Sequence, residues 1–260
     1  MKKILGFLAV IIHLTIYGQD YFPTNSSVKT SNEPFQAIVN ATVVLSPGNL
    51  IENGTVLFRN GKIIDVGQNI SIPKNTVVHD KKGLYVYPSF IDVTTSFGVK
   101  APTRASSSGR SASYEASREG YYWNDHILSD FNAASAFNYD TKTAKTLRAH
   151  GFGVVNTHRN DGIHRGTSVV VALDDQSNNS YRIINSNAAE QLSFSKSAQY
   201  NQSYPGSVMG AMALIRQFYY DLDWYKNGGS DSKDLAIEAA IKNHSLPKIF
   251  YAGNKLNVMR

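Results

Sequence analysis

The sequence contains no cysteine. Disulfide bonds and a lipid-anchoring cysteine are therefore excluded, and export requires neither. It has seven histidines, and none stands two residues from another. It has no phosphate-binding loop. Gly151-Phe152-Gly153 lacks the third glycine of a dinucleotide fingerprint and precedes a predicted strand instead of following one. Gly206-Ser207-Val208-Met209-Gly210 places its serine one position too early for a nucleophile elbow, in a stretch predicted as helix. Charge is sparse at 18% against 42% hydrophobic residues, so the chain can build a globular core and bulk disorder is not expected. The net charge of +6 includes Lys2 and Lys3 of an N-terminal leader. With no basic helix and no reading motif, nucleic acid is not an expected partner. No internal repeat is present.

What is there begins with that leader. Lys2-Lys3 followed by the apolar run Ile4 to Tyr17 has the form of a secretory signal peptide, residues 1–18, too short for a membrane span. Residues 19–35 are rich in Ser, Thr and Asn and read as a flexible lead-in. From Gln36 the pattern becomes β. Ala37–Leu45 and Gly54–Arg59 are apolar runs. Asn60-Gly61 favours a type I′ turn, because both central residues need positive φ, and Lys62–Val66 returns as the hairpin partner. Thr76–His79 and Leu84–Tyr87 complete a small β-sandwich sheet over residues 36–88.

Further on, Val99–Gly120 is a long loop dense in Ser, Ala, Gly and Arg, of a kind that is often functional or mobile. The cluster Tyr121-Tyr122-Trp123-Asn124 reads as a packing anchor or as part of a ligand wall. Asp140–His150 has helical spacing with Gly151 as its stop, and Phe152–Thr157 follows as a strand. Strand, helix, strand is the unit of a parallel α/β sheet. Ser168–Leu173 and Tyr181–Asn185 read as a hairpin. Pro205–Tyr225 is the longest predicted helix, with Met209, Met212, Ala213, Leu214 and Phe218 on its apolar face. Asp231–Asn243 is another helix, Lys248–Ala252 a strand, and Asn254 starts a last helix.

The organising stretch is Leu84 to Gly98. Pro88 removes a backbone donor and ends one sheet, and Phe90-Ile91-Asp92-Val93 opens the next as a buried strand. Pro88, Phe90, Ile91, Asp92 and Gly98 resemble the junction of the amidohydrolase superfamily, where a small β-sandwich hands over to a metal-dependent (β/α)8 barrel. Trp123-Asn124, Asn132-Ala133-Ala134, Gly151-Phe152 and Asp161 to Thr167 extend the resemblance, over roughly residues 36–260, to the secreted imidazolonepropionase-like branch. The fold class it implies is α/β: a β-sandwich over 36–88 and the first part of a barrel, with rim insertions, over 89–260. Predicted barrel strands near residues 90, 152 and 248 are three of eight, and a complete barrel needs at least about 200 residues. The expectation is the N-terminal part of a longer protein.

The family's first strand carries His-x-His, because residues i and i+2 of a strand point to one side and two imidazoles converge on one ion, often zinc. Thr94 and Ser96 hold those places here with neutral hydroxyls, which are poor zinc ligands. No cofactor is therefore expected for this chain. The candidate pocket consists of Asp92, Thr94, Ser96, His158 and Arg165. Asp92 reads as a hydrogen-bonding group at a strand end. His158 lies just past the second barrel strand, at the rim that carries active sites in such barrels. Arg165 offers a planar fork for a substrate carboxylate. His126, His150 and His244 read as surface residues. The resemblance implies hydrolysis of non-peptide carbon–nitrogen bonds by a metal-activated water. The missing histidines imply the alternative, an inactive relative that binds a small molecule or a partner, either a second copy or a related subunit.

Export should remove the leader near Gly18–Gln19, to a periplasmic or extracellular product. Intact-mass measurement of the exported fraction is expected to show that loss. A cytoplasmic species beginning at Met1 would overturn it.

Overall fold

The computed structural model describes residues 34–105, 115–175 and 179–259. The expected leader and nearly all of the lead-in lie outside the described residues. The chain is mixed α/β, with three separate sheets among these residues.

The first sheet is built from β1 (Gln36–Ser46), β2 (Asn49–Arg59), β3 (Lys62–Gly67), β4 (Val77–Asp80) and β5 (Tyr85–Val86). β1 is central: it pairs antiparallel with β2 and parallel with both β4 and β5. The β2–β3 turn has Asn60 at φ 52° and Gly61 at φ 70°, as the Asn-Gly dipeptide requires. Ala37, Ala41 and Val43 of β1 and Val56 and Leu57 of β2 are its buried apolar residues.

The second sheet follows Pro88. It contains β6 (Phe90–Thr95), and then, after α1 (Ala133–Ala136) and α2 (Thr141–Ala149), β7 (Phe152–Thr157). β6 and β7 are parallel, joined through α2. The Asp140 carboxylate caps α2 by accepting from the Lys142 and Thr143 N–H groups, and Gly151 leaves the helix at positive φ. Ala144 of α2 meets Val155 of β7 in a core shared with Phe97, Val169 and Val171. Next comes β8 (His164–Thr167), which belongs to the third sheet. It is followed by β9 (Val169–Ala172), α3 (Asn179–Arg182) and β10 (Ile183–Asn185). β9 and β10 form the expected hairpin beside β7, but Tyr181 and Arg182 lie in α3 instead of the strand.

The expectation that Phe90–Val93 is buried is corrected. Phe90, Ile91 and Val93 are 64%, 61% and 63% exposed. β6 is the edge of its sheet, and no described element covers these side chains.

The third sheet joins β8 to β11 (Glu190–Ser193) and β12 (Lys248–Tyr251), with α4 (Val208–Lys226) and α5 (Leu235–Asn243) between the last two strands and α6 (Lys255–Val258) after them. β11 is parallel to β12 and antiparallel to β8. α4 begins at Val208, three residues later than predicted, because the Ser207 hydroxyl accepts from the Gly210 N–H. Its buried face is Ala211, Met212, Leu214, Phe218 and Leu222, while Met209 and Ala213 point outward, a correction to the predicted face. Leu214, Phe218 and Leu222 pack on Ile127 and Ile163 and on Ala236, Ile237 and Ala240 of α5. A fully buried side chain of this kind contributes about 1.5–3 kcal/mol.

β11 was not predicted, and it carries the buried carboxylate of the sheet. Glu190 is 1% exposed. Its Oε2 lies 2.6 Å from Lys248 Nζ on β12, and its Oε1 lies 3.6 Å from His164 Nε2 on β8. Burial pushes its carboxyl up, but His164 and Lys248 outweigh burial and hold it below the ordinary carboxylate range. Lys248→Met removes the only full cation of this group. With Lys248 28% exposed, the expected loss at pH 7.5 is about 3 kcal/mol, the low end for a broken buried pair. The gap to the parent should narrow toward pH 5, as the unpaired Glu190 takes up a proton. Urea midpoints at the two pH values measure this, and a gap constant with pH would show that Lys248 acts by packing and not by charge.

Candidate functional site

The site forms where β6 and β7 end side by side. His158 directly follows β7, and its backbone N–H donates to the Thr95 carbonyl at 2.9 Å. That bond seats the buried imidazole next to Thr94. His158 Nδ1 lies 2.8 Å from the Arg159 carbonyl, which can only accept, so Nδ1 carries the proton. The Nε2 lone pair then accepts from the Thr94 hydroxyl at 3.1 Å. Burial lowers the His158 pKa, and the Arg165 charge lowers it further, so the ring is neutral near pH 7.

Arg165 is 4% exposed. Its Nε donates to the Gly162 carbonyl at 3.1 Å, and its Cζ lies 5.8 Å from the Tyr251 ring centre on β12. No ion pair reaches it among the described residues. Burial pulls its pKa down, and the Asp161 charge partly offsets this. Asp161 itself is engaged elsewhere: it accepts from Ser197 Oγ at 2.5 Å and from the Ala198 N–H at 2.7 Å, and pairs with Arg159 at 3.0 Å. The bend that presents Arg165 depends on Gly166, at φ 76°. A Cβ there would stand 2.0 Å from the Phe131 carbonyl oxygen, so no other residue fits.

Of the five residues proposed from sequence, the fold pairs Thr94 with His158, and Arg165 lies near enough for its charge to act on that ring. Asp92 lies in the middle of β6, not at a strand end, and accepts from the Thr94 N–H at 3.2 Å. Ser96 is exposed and engages through its backbone, its carbonyl accepting from the Val99 N–H. Two hydroxyls and one imidazole whose lone pair is already engaged do not fit a zinc site, which wants about four good ligands. Among the described residues no group of three or more His, Asp or Glu side chains could hold a metal.

His126 was read as a surface residue and is fully buried, which corrects the sequence reading. Its Nε2–H donates to the Gln202 carbonyl at 3.2 Å, and its Nδ1 accepts from the Ser197 N–H. The Gln202 side chain in turn accepts from the Asp125 N–H and donates to the Glu115 and Trp123 carbonyls. These bonds tie the loop before residue 126 to the loop after β11, beside Asp161. Nothing in the local sequence signalled this, because the partners are more than 70 positions apart.

His126 and His158 are both held below the ordinary imidazole value of about 6.5, in each case chiefly by burial. Below that value the unfolded chain binds protons that the folded chain refuses. Stability therefore rises with pH between the lowered folded values and about 6.5, and is lost as pH falls through that window. Histidine NMR titration is expected to show two imidazoles that become protonated only below pH 6.5, with urea stability declining as they do. Two buried rings titrating at 6.5 would overturn this.

No protein-family profile and no curated protein matches the chain. Among solved structures, an amidohydrolase from Thermotoga maritima MSB8 matches with TM-score 0.62 at 19% identity, over 86% of this chain and 60% of that one. This chain thus spans 60% of that structure's length. A prolidase complexed with N-methylphosphonate-L-proline matches at TM-score 0.26 and 16% identity, over 48% of this chain and 26% of that one, too small an overlap to carry an argument. What the first comparison establishes is fold: most of this chain is built like an amidohydrolase.

Proposed function

We propose that this protein is a ligand-binding relative of amidohydrolases that holds a carboxylate-bearing small molecule on the Thr94–His158–Arg165 face. The observation that carries the proposal is Arg165, a buried cation without an ion pair among the described residues. An unpaired buried charge is costly, and an anionic ligand offsets that cost. A carboxylate takes two parallel bonds from a guanidinium fork, and no lysine reproduces that geometry. The neutral His158 adds no second charge, so the face is selective for a single anionic group.

The finer reading follows the same resemblance. β6, β7 and β12 are taken as barrel strands and the break at Pro88 as the domain boundary. The secreted imidazolonepropionase-like branch is the proposed lineage, and export is the proposed fate. A second reading, a metal-dependent hydrolase of non-peptide carbon–nitrogen bonds, is favoured by the likeness in fold. It requires ligands other than Thr94 and Ser96.

Calorimetry separates the two readings. N-acetylglycine is expected to bind one-to-one, and its uncharged analogue N-acetylglycinamide at least tenfold more weakly. Arg165→Gln should remove the difference while leaving the melting curve cooperative. Equal binding of both compounds by the parent chain would sink the carboxylate reading. Tight one-to-one zinc binding by the unmutated chain would favour the hydrolase.

A further inference from the structure

A second cleft, which shares no lining residue with this face, lies between the segment after residue 115, the C-terminal half of α4 and the turn into α5. Its volume is about 560 Å³. Five aromatic residues line it: Tyr121, Tyr122, Trp123, Trp224 and Tyr225. Two carboxylates, Asp221 and Asp234, are also in the wall, and the described lining includes no lysine or arginine. That is an unusual wall for a chain of net charge +6.

No described cation lies within ion-pair distance of either carboxylate, and Arg118 acts on Asp234 only from further off. Asp221 accepts from the Tyr122 hydroxyl at 2.6 Å and from Gln217 Nε2 at 2.6 Å. Both donors are uncharged, so the negative charge remains. Asp234 caps α5 with one oxygen, Oδ1, which takes the Ala236 and Ile237 N–H groups. Aromatic faces carry negative potential and attract organic cations, most strongly when desolvated. The chain already uses this wall in that way on one side: Arg118 Cζ sits 4.0 Å from the Tyr121 ring centre and is not itself part of the lining. The Trp224 indole is held in place by Gly229. A Cβ at that glycine would stand 2.1 Å from an indole carbon, and the glycine's φ is ordinary, so space alone sets the choice.

We infer that this cleft is a binding site for a small organic cation, an alkylammonium or quaternary ammonium group, received by the aromatic walls and neutralised by Asp221 and Asp234. Ring faces with nearby carboxylates suit a diffuse, weakly hydrated cation better than a hard metal ion, which demands several oxygens at short range. The site is independent of the Arg165 face, and the two carry opposite charge preference.

Choline is the probe, and 3,3-dimethylbutan-1-ol, its uncharged isostere, is the control. Tryptophan fluorescence and calorimetry on the whole chain are expected to show saturable choline binding, with the isostere at least tenfold weaker. Asp234→Asn keeps the helix cap, since asparagine caps as well as aspartate, and should weaken choline about tenfold without moving the thermal midpoint. Trp224→Ala, at a residue 57% exposed, should do the same. Equal binding of choline and its isostere would overturn the inference, as would choline binding unaffected by both variants. Failure of choline to bind a well-folded chain would also overturn it, as would preferential binding of a neutral sugar, which would make the walls a stacking platform.

Discussion

The buried carboxylate of Glu190 is the constraint on which the α/β part of the molecule turns. It sits on the middle strand of the third sheet, with a cation on one neighbour and an imidazole on the other. A charge in that position is tolerable only if both flanking strands keep their register. Lys248 also donates to the His244 and Leu246 carbonyls at the end of α5. One side chain thus neutralises Glu190 and fastens the helix that precedes its own strand. His164 adds a ring contact to Phe218, 5.6 Å between centres, so the same group reaches α4. Sheet register and helix packing are set together.

The position of Arg165 follows from the same strand arrangement. β8 runs from His164, which faces Glu190, through Arg165 and Gly166, and the positive φ at Gly166 shapes the bend between them and the rest of the chain. Arg165 is buried as a consequence of where β8 must lie, and its charge is left without a described counter-ion. The loops on either side are fastened by neutral bonds through His126 and Gln202 and by the Asp161 hub. These bonds anchor the loops on both sides of Arg165 to one another through mostly neutral hydrogen bonds.

The molecule therefore presents two faces of opposite character. One offers a buried cation, a neutral imidazole and a hydroxyl. The other offers ring faces and two carboxylates. Their separation is a product of topology: the first lies at the ends of β6, β7 and β8, the second on the helical layer around α4 and α5. The likeness to an amidohydrolase fold accounts for the layering and leaves both chemistries to the particular side chains of this chain.

Local signals in the sequence were enough for the Asn60-Gly61 hairpin, the break at Pro88, the parallel pair around α2 and the long helix, because each depends on residues near in sequence. Asn-Gly adopts the turn unaided, proline cannot donate, and a cap acts within three residues. The pairing of Thr94 with His158 was foreseeable only through the resemblance, since it spans two strands. Three things were left to the tertiary structure. Phe90, Ile91 and Val93 form an apolar strand that stands exposed, because burial is decided by what packs on a strand and not by its composition. His126 is interior because Gln202 and Ser197, far along the chain, supply its partners. Glu190 gave no hint of burial, since a lone acidic residue signals solvent until a lysine and a histidine from other strands are folded against it.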